Sequence, residues 1–429
     1  MFKNKIINNA SWIIACRIVQ SALALIINML TARYLGPSNF GVISYAASIV
    51  AFFVPVMQLG LSNILVQETV QHPEEEGKIY GSAIVMSICS SVACMIGITT
   101  FVSVAHAGET ETVITCALYS ILLLCQAVEL MQYWYQAKYL SKYMSIVSLC
   151  AYVIVSAYKI FLLVTQKSVY WFAVSNAIDY FLISMVLLVI YKKLGGARLS
   201  FSWSVSKRML SSSKHYIIPG LMVVIFAQTD KIMLTLMVNE TVTGYYSAAV
   251  ASAAITNFIF AAIIDSARPA IFESKKKDQK DFEKNVSRLY SVITYLSLAQ
   301  CIGMTVLAKP IILVMYGEAY YPAIAALRLI VWYTTFAYFG AIRNIWMLAE
   351  EKQKYLLPIN LAGALANVLL NAVLIPFMGM MGAALASLVT QFFTNVIVGF
   401  ILTPIRKNNF LMIKGLNISC ILKMIRMKG

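Results

Sequence analysis

Charged residues are scarce in this sequence of 429 residues, in which only 12% of positions are Asp, Glu, Lys or Arg. By contrast, 60% of the residues are hydrophobic, and the mean hydropathy is +0.77. A soluble globular protein of this length needs a polar surface that this composition cannot supply. The composition therefore excludes a soluble protein and predicts an all-α integral membrane protein.

Several motifs that would indicate an enzyme or a metal site are also missing. The eight cysteines include no Cys-x-x-Cys pair, and the three histidines lie far apart in the sequence. No G-x-x-x-x-G-K-[ST] sequence occurs, which excludes ATP hydrolysis by a P-loop. We therefore assign no catalytic residue, no metal and no cofactor, and expect an H+ or Na+ gradient as the candidate energy source.

The most prominent feature of the sequence is a series of long hydrophobic runs. Each run is about 20 residues or longer, which is the length needed to cross a bilayer. Together they predict about twelve transmembrane helices, at roughly 10–32, 41–66, 79–104, 112–134, 143–165, 168–191, 214–238, 244–267, 288–308, 322–348, 355–376 and 380–403.

The net charge of +16 comes from basic residues that follow the predicted membrane topology. Of the 34 Lys and Arg residues, 26 fall in the two termini and in every second connection, and the opposite connections hold only Arg33, Lys167 and Lys309. Basic residues concentrate on the cytoplasmic side of membrane proteins. Both termini are therefore predicted to be cytoplasmic, and the positive charge does not indicate a nucleic-acid partner.

The longest predicted cytoplasmic connection divides the twelve runs into six and six. It contains Gly195, Gly196 and a serine-rich stretch, a composition typical of a linker. Because six is even, the two halves would have the same orientation, with a substrate cavity between them. The predicted organisation is an N-lobe at 1–192, a linker at 193–213, a C-lobe at 214–404 and a basic amphipathic tail at 405–429.

Arg17 lies inside the first apolar run, where a charge costs at least a few kcal/mol unless it faces a cavity or a partner. Gln20, Ser21, Ala24 and Asn28 follow at helical spacing and extend a polar stripe from it. A structural pair is one interpretation of such an arginine. The stripe favours the other interpretation, a water-filled path.

Other polar residues recur inside the predicted spans of both halves. Cations suit a phosphate or diphosphate group, and amides suit the hydroxyl groups of sugars. The single residues could equally be interhelical hydrogen-bonding partners. As a set, they predict a hydrophilic substrate cavity lined by Arg17, Lys159, Lys231, Arg328, Arg343, Asn360, Asn367, Asn371 and Gln391.

Four acidic residues also fall inside or at the ends of predicted spans. Intramembrane carboxylates often couple transport to an ion gradient. Asp230 and Asp265 also have a structural interpretation, because Lys231 and Arg268 lie close to them in sequence. The candidates for ion coupling are Glu129, Asp179, Asp230 and Asp265.

Two blocks of sequence resemble one family of membrane proteins. The first comprises N-x-x-W in the first span, A-R-Y-L-G-P-x-x-F-G-x-x-S-Y-A at 32–46 and Q-L-G-L at 58–61. The second comprises Q-T-D-K-I-M-L at 228–234 and G-Y-Y-S-A-A at 244–249. These blocks resemble the starts of the two halves of bacterial polysaccharide and O-antigen repeat-unit flippases of the Wzx type. That family belongs to the superfamily of multidrug extruders and the lipid II flippase.

The resemblance implies a two-lobe fold and a function in the bacterial inner membrane. Such proteins transfer undecaprenyl-diphosphate-linked oligosaccharide from the cytoplasmic to the outer leaflet. It further implies that Arg17, Asp230 and Lys231 match charged cavity residues of the family. The expected partners are the lipid-linked glycan, membrane lipids, and a polysaccharide polymerase with its chain-length regulator.

Two other classes of function remain open on this sequence. A multidrug or small-molecule antiporter should have a net acidic and apolar cavity, whereas the intramembrane residues here are slightly cationic and rich in amides. A scaffold that transports nothing gives no reason for charges inside the spans. The flippase is the preferred hypothesis, and the antiporter is the alternative.

Overall fold

The computed structural model describes the backbone of residues 2–416 and the side chains of Cys16 and of residues 18–416. This range is α-helical and contains no β-strand. The helices are α1 (Phe2–Met57), α2 (Leu65–Gln71), α3 (Glu76–Ala105), α4 (Thr110–Ser120), α5 (Leu122–Glu129), α6 (Gln132–Ala137), α7 (Ser141–Val164), α8 (Val169–Lys193), α9 (Trp203–Ser213), α10 (Ile217–Met237), α11 (Glu240–Ala253), α12 (Asn257–Lys277), α13 (Gln279–Val306), α14 (Ala308–Tyr316), α15 (Ala323–Ala349), α16 (Leu356–Met378), α17 (Met380–Phe392), α18 (Val398–Ile401) and α19 (Arg406–Gly415).

Eleven helical stretches of this range are long and apolar enough to cross a membrane. They are Ile18–Met57, Pro73–Ala105, Thr110–Ala137, Ser141–Val164, Val169–Lys193, Trp203–Met237, Glu240–Lys277, Gln279–Val306, Ala323–Ala349, Gln353–Met378 and Met380–Ile401. The first stretch covers parts of two predicted spans, 10–32 and 41–66, and Gly36 (φ 70°, ψ 174°) interrupts its helical backbone between them. The all-α, multi-span fold class is thus confirmed, and the protein is a multi-pass membrane protein.

The second predicted span ends earlier than its hydrophobicity indicates. The helix stops at Met57 instead of residue 66, because Leu59 (φ 52°) and Gly60 (φ 70°) adopt left-handed conformations. A side chain at Gly60 would place its Cβ 2.3 Å from the carbonyl oxygen of Ser213. The turn therefore requires glycine both for its backbone angle and for this close approach.

By its internal contacts the chain forms two compact units, Met1–Gln228 and Thr229–Gly429. The division falls inside α10. The first unit has an aromatic core in which the ring of Trp134 makes edge-to-face contacts with Tyr135 and Tyr191, each at a centroid distance of 4.9 Å. Leu65, Ile79 and Met209 belong to the same buried cluster, so α2, α3 and α9 pack around it.

The second unit is built around α13 and α15. Phe260 stacks on Tyr338 at 4.1 Å, and the ammonium group of Lys352 lies 4.7 Å from the ring of the buried Trp346. The predicted basic tail includes α19, which packs on α13 through a hydrogen bond from Ser287 Oγ to the Leu411 carbonyl. Residues 417–429 of that tail lie outside the described range.

Candidate functional site

A buried carboxylate, Asp230 on α10, is the centre of a polar cluster in the second unit. Its Oδ1 accepts hydrogen bonds from Asn371 Nδ2 at 2.6 Å and from Asn367 Nδ2 at 3.2 Å. Its Oδ2 accepts hydrogen bonds from the Tyr246 hydroxyl at 2.5 Å and from Ser387 Oγ. The four donors come from α11, α16 and α17, so that one carboxylate connects four helices.

The cluster is almost completely shielded from solvent. Asp230 is 7% exposed, Asn367 is 1% exposed and Asn371 is fully buried. A carboxylate in such a place is costly unless hydrogen bonds replace its lost hydration. The four donors supply that replacement, and the further hydrogen bond from Asn371 Nδ2 to Asn367 Oδ1 (3.1 Å) fixes the two amides relative to each other.

Local sequence explains why these residues meet. Asn367 and Asn371 are four residues apart and therefore lie on the same face of α16. The chain then reverses at Gly379 (φ 54°) into α17, and a Cβ at Gly382 would lie 2.3 Å from the Leu374 carbonyl oxygen. Because two glycines allow this close hairpin, α17 runs against the asparagine face of α16.

The oxygen atoms around Asp230 could hold a small cation. Besides the carboxylate and the two hydroxyl groups, Asn371 Oδ1 and Thr390 Oγ1 are buried and have no hydrogen-bond partner among the described residues. Thr390 follows Ser387 by one turn of α17. Carboxylate, carbonyl and hydroxyl oxygens are the ligands that hard cations prefer, and the amide groups could turn their oxygens toward an ion.

The first unit has its own intramembrane charge cluster, on α5, α7 and α8. Lys159 Nζ donates a hydrogen bond to Asn176 Oδ1 at 2.9 Å. Asp179, three residues beyond Asn176, interacts electrostatically with Lys159 and with Glu129, which ends α5. All four side chains are half-buried. The structure thus brings together three predicted residues, with Asp179 interacting with both Lys159 and Glu129.

Arg343 lies deep inside the second unit. Only 3% of it is exposed, and its Nη1 donates a hydrogen bond of 2.8 Å to the Thr394 carbonyl. That carbonyl belongs to a π-helical turn, Phe393–Ile397, which disrupts the regular hydrogen bonding of the last span. Nearby, Gln391 Oε1 accepts a hydrogen bond from Asn395 Nδ2 at 2.6 Å. No carboxylate among residues 18–416 forms an ion pair with Arg343.

Two predicted site residues lie on exposed surfaces. The side chain of Asp265 is 64% exposed and forms an ion pair of 3.1 Å with Arg268. Arg328 is also exposed and lines a hollow of about 200 Å³ together with Lys309 and Tyr321. Neither residue forms one of the described hydrogen bonds to Asp230.

Three predicted residues remain. Lys231 is half-buried beside Asp230 and interacts with it electrostatically. Asn360 is half-buried on α16. Arg17 lies outside the residues whose side chains the structure describes.

Two members of the Asp230 cluster are missing from the predicted site. Tyr246 lies in the G-Y-Y-S-A-A block, and Ser387 precedes Gln391 by one turn of α17. Because serine and tyrosine are common in membrane spans, their hydroxyl groups do not by themselves indicate a polar site. Only their spacing relative to Gly244 and Gln391 could have indicated them.

The sequence model of a family described as "Polysaccharide biosynthesis protein" matches residues 30–325, more than half of the chain. The chain belongs to the polysaccharide biosynthesis protein family. No curated protein matches the sequence. The family match confirms the resemblance found in the sequence blocks at the start of each half.

Solved structures show which fold this family member has. It is similar to the inward closed conformation of the lipid II flippase MurJ, with a TM-score of 0.66, 14% identity, and coverage of 96% of this chain and 92% of that one. It is also similar to an inward-facing multidrug resistance MATE family transporter, with a TM-score of 0.65, 14% identity, and coverage of 90% and 94%. The eukaryotic MATE transporter AtDTX14 follows at 0.62 and 14%, with coverage of 96% and 99%. Because the sequence identity is only 14%, these matches establish the MATE-like fold alone.

Proposed function

We propose that this protein is a flippase. It moves undecaprenyl-diphosphate-linked oligosaccharide repeat units from the cytoplasmic to the outer leaflet of a bacterial inner membrane, by alternating access. The observation that carries the proposal is membership of the polysaccharide biosynthesis family on a fold similar to that of a lipid II flippase. Unaided flipping would bring many glycan hydroxyl groups into hydrocarbon, each at a cost of about 2–7 kcal/mol. A polar path through the protein removes this cost.

The intramembrane cations are the proposed receptors for the diphosphate. Lys159 and Lys231 are half-buried, so that their ammonium groups can reach a ligand and still act in a medium of low polarity. Arg17 is proposed for the same role from its sequence position. Arg343 supplies a fixed positive charge instead, because its guanidinium is buried and holds the Thr394 carbonyl.

The amide residues divide into two roles. Asn360 and Gln391 are half-buried and suited to hydrogen bonding with sugar hydroxyl groups. Asn367 and Asn371, in contrast, use their amides on the Asp230 carboxylate. We therefore assign these two asparagines to ion coupling in place of glycan binding.

Asp230 is the proposed coupling residue. A proton or Na+ arriving at its carboxylate would cancel the charge that holds donors from α11, α16 and α17 in place. Loss of that charge would release the four hydrogen bonds together and allow these helices to move relative to α10. Glu129 and Asp179 in the first unit are a second candidate pair for coupling.

The test is to delete the gene and sort lipid-linked oligosaccharide by membrane leaflet while assaying surface polysaccharide. We expect complete repeat units to accumulate on the cytoplasmic side and surface polymer to disappear. Plasmid-borne wild-type protein should restore both, and Lys159→Gln should not. Normal surface polymer and normal lipid intermediates in the deletion strain would refute the flippase.

An ion-coupled antiporter for small molecules is the second candidate. The Glu129–Asp179 acid pair and the similarity to MATE transporters favour it. It predicts that the deletion strain becomes sensitive to cationic drugs while its surface polysaccharide stays normal. A drug-susceptibility panel on the same strain therefore separates the two functions.

A further inference from the structure

The connection between α8 and α10 is fixed to the first unit. We refer to residues 192–216, from the end of α8 to the start of α10, as the connecting strap. Its extended part runs along the first turns of α3, where Ser200 N donates to the Gly77 carbonyl at 3.1 Å. One turn further, Ser202 N donates to Ser82 Oγ at 2.9 Å. A Cβ at Gly81 would lie 2.4 Å from the Ser200 carbonyl oxygen, so the two backbones are in direct contact.

The helix of the strap, α9, is held just as firmly. Val205 and Met209 lie in the buried core of the unit. Arg208 donates to Glu75 Oε2 at 2.7 Å and to Glu68 Oε2 at 3.2 Å. With one face of α9 anchored in this way, the direction of its other side chains is fixed.

The free face of the strap combines aromatic and basic residues. Trp203 is 74% exposed and Phe201 is 51% exposed, with their rings 6.4 Å apart. Five cations of the strap are exposed, and residues 192–216 contain no acidic residue. These cations are Lys192, Lys193, Arg198, Lys207 and Lys214.

The position of the strap places this face at a membrane surface. The stretch that includes α3 is 33 residues long, or about 50 Å, whereas the hydrocarbon core of a bilayer is about 30 Å thick. A helix of this length extends beyond the hydrocarbon core at its ends, and the strap contacts residues 77–82, within the first ten residues of that stretch. Both ends of the strap also continue into membrane-spanning helices, so it cannot leave the interface.

We propose that the free face of the connecting strap binds anionic phospholipid. Trp203 and Phe201 lie at the boundary of headgroups and acyl chains, where amphipathic aromatic rings are most stable. Arg198 and Lys207 contact the lipid phosphates. Negatively charged lipid complements a surface that has five cations and no acid, which favours this ligand over a protein partner.

The geometry of α9 supplies a matched control. At 100° per residue, Trp203, Lys207 and Leu210 fall on one flank of the helix, and Ser212 falls on the opposite exposed flank. All four positions are exposed. If the first flank faces lipid, Ser212 faces water.

The experiment introduces photoreactive p-benzoylphenylalanine at 203 or at 212 of the full-length protein. Each variant is reconstituted in vesicles of equal phosphatidylglycerol and phosphatidylcholine, and adducts are identified by mass spectrometry. We expect lipid adducts at 203 at least five-fold above those at 212, with phosphatidylglycerol enriched over its mole fraction. In an Arg198→Gln/Lys207→Gln background the enrichment should disappear while the total lipid adduct at 203 stays.

Equal lipid adducts at 203 and 212 would overturn the proposal. Cross-links from 203 to protein in native membranes, without lipid adducts, would also overturn it and identify the surface as a protein-binding site. Unchanged enrichment in the Arg198→Gln/Lys207→Gln background would exclude recognition of the lipid phosphate by Arg198 and Lys207.

Discussion

Asn371 Nδ2 donates a hydrogen bond of 2.6 Å to Asp230 Oδ1, although 141 residues separate them in the chain. Asp230 lies in the first span of the C-terminal half, and Asn371 lies in its next-to-last span. The sequence predicted Asp230 as an ion-coupling acid and Asn371 as a substrate-binding amide. The hydrogen bond joins these two residues in one cluster.

Replacing Asp230 by Asn should abolish the dependence of transport on an ion gradient. The amide keeps the shape of the side chain but has no charge to exchange with a cation. We expect export of surface polysaccharide to fall at least ten-fold, and the remaining activity to be insensitive to collapse of the H+ or Na+ gradient. Asp265→Asn is the control, because Asp265 is exposed, and it should export normally. Retained gradient dependence in Asp230→Asn would exclude this residue as the coupling site.

Replacing Asn371 by Ala should destabilise the second unit. It removes the shortest amide hydrogen bond to a buried carboxylate, which costs about 1–3 kcal/mol. Asn360→Ala is the matched control on the same helix, because Asn360 is half-buried and has no hydrogen bond to Asp230 among the described contacts. Thermal unfolding in detergent should show a lower midpoint for Asn371→Ala only. Equal midpoints for both variants would show that the cluster contributes no stability.

Replacing Lys159 by Gln should impair export without unfolding the protein. The amide can still hydrogen-bond with Asn176 but cannot attract a diphosphate. We expect export to fall about ten-fold in the complementation assay, with normal protein levels in the membrane. Lys167→Gln controls for loss of a single charge, since Lys167 is exposed just beyond the end of α7. If Lys159→Gln exports like wild type, Lys159 has no part in substrate binding.

Glu350 should make stability depend on pH. Burial acts to raise the pKa of its carboxyl, but hydrogen bonds from Lys275 Nζ (2.5 Å) and Gln279 Nε2 (3.2 Å) outweigh burial, so the pKa lies below its ordinary value. A lowered pKa stabilises the fold above the unfolded value of about 4.3, and this stabilisation is lost as the pH falls through the folded value.

The measurement for Glu350 compares wild type with Glu350→Gln. At pH 6–7 wild type should be more stable by about 1 kcal/mol, and the difference should vanish as the pH falls below about 4. Thermal midpoints in detergent across this range test the prediction. A difference that is constant with pH would show that the ion pair with Lys275 contributes nothing.

Replacing Gly81 by Val should detach the connecting strap from α3. Its Cβ would lie within 2.4–2.7 Å of backbone atoms of Ser200, and a backbone cannot yield as a flexible side chain can. We expect faster proteolysis between residues 194 and 216 and a lower thermal midpoint. Gly97→Val on the same helix meets only a side chain at 3.8 Å and should behave like wild type. Identical proteolysis of both variants would contradict the packing of the strap.

The amino-acid sequence by itself determined the fold class, because hydrophobic runs of bilayer length are a direct consequence of the absence of water in the membrane. The spacing of polar residues also predicted one face of a helix that the structure shows. Asn367 and Asn371 lie on one face of α16, as their spacing indicates. The sequence blocks around Gly36 and Asp230 were sufficient to indicate the family.

Tertiary structure decided which polar residues act together. Periodicity assigns a residue to a face of its own helix but gives no information on the neighbouring helix, so nothing in the sequence paired Asp230 with Tyr246 or Ser387. For the same reason Arg343 and Asp265 looked alike as intramembrane charges, although one is buried and the other exposed. The connecting strap shows the same limit, because a composition typical of a flexible linker is compatible with tight docking once Gly77 and Gly81 provide a surface without side chains.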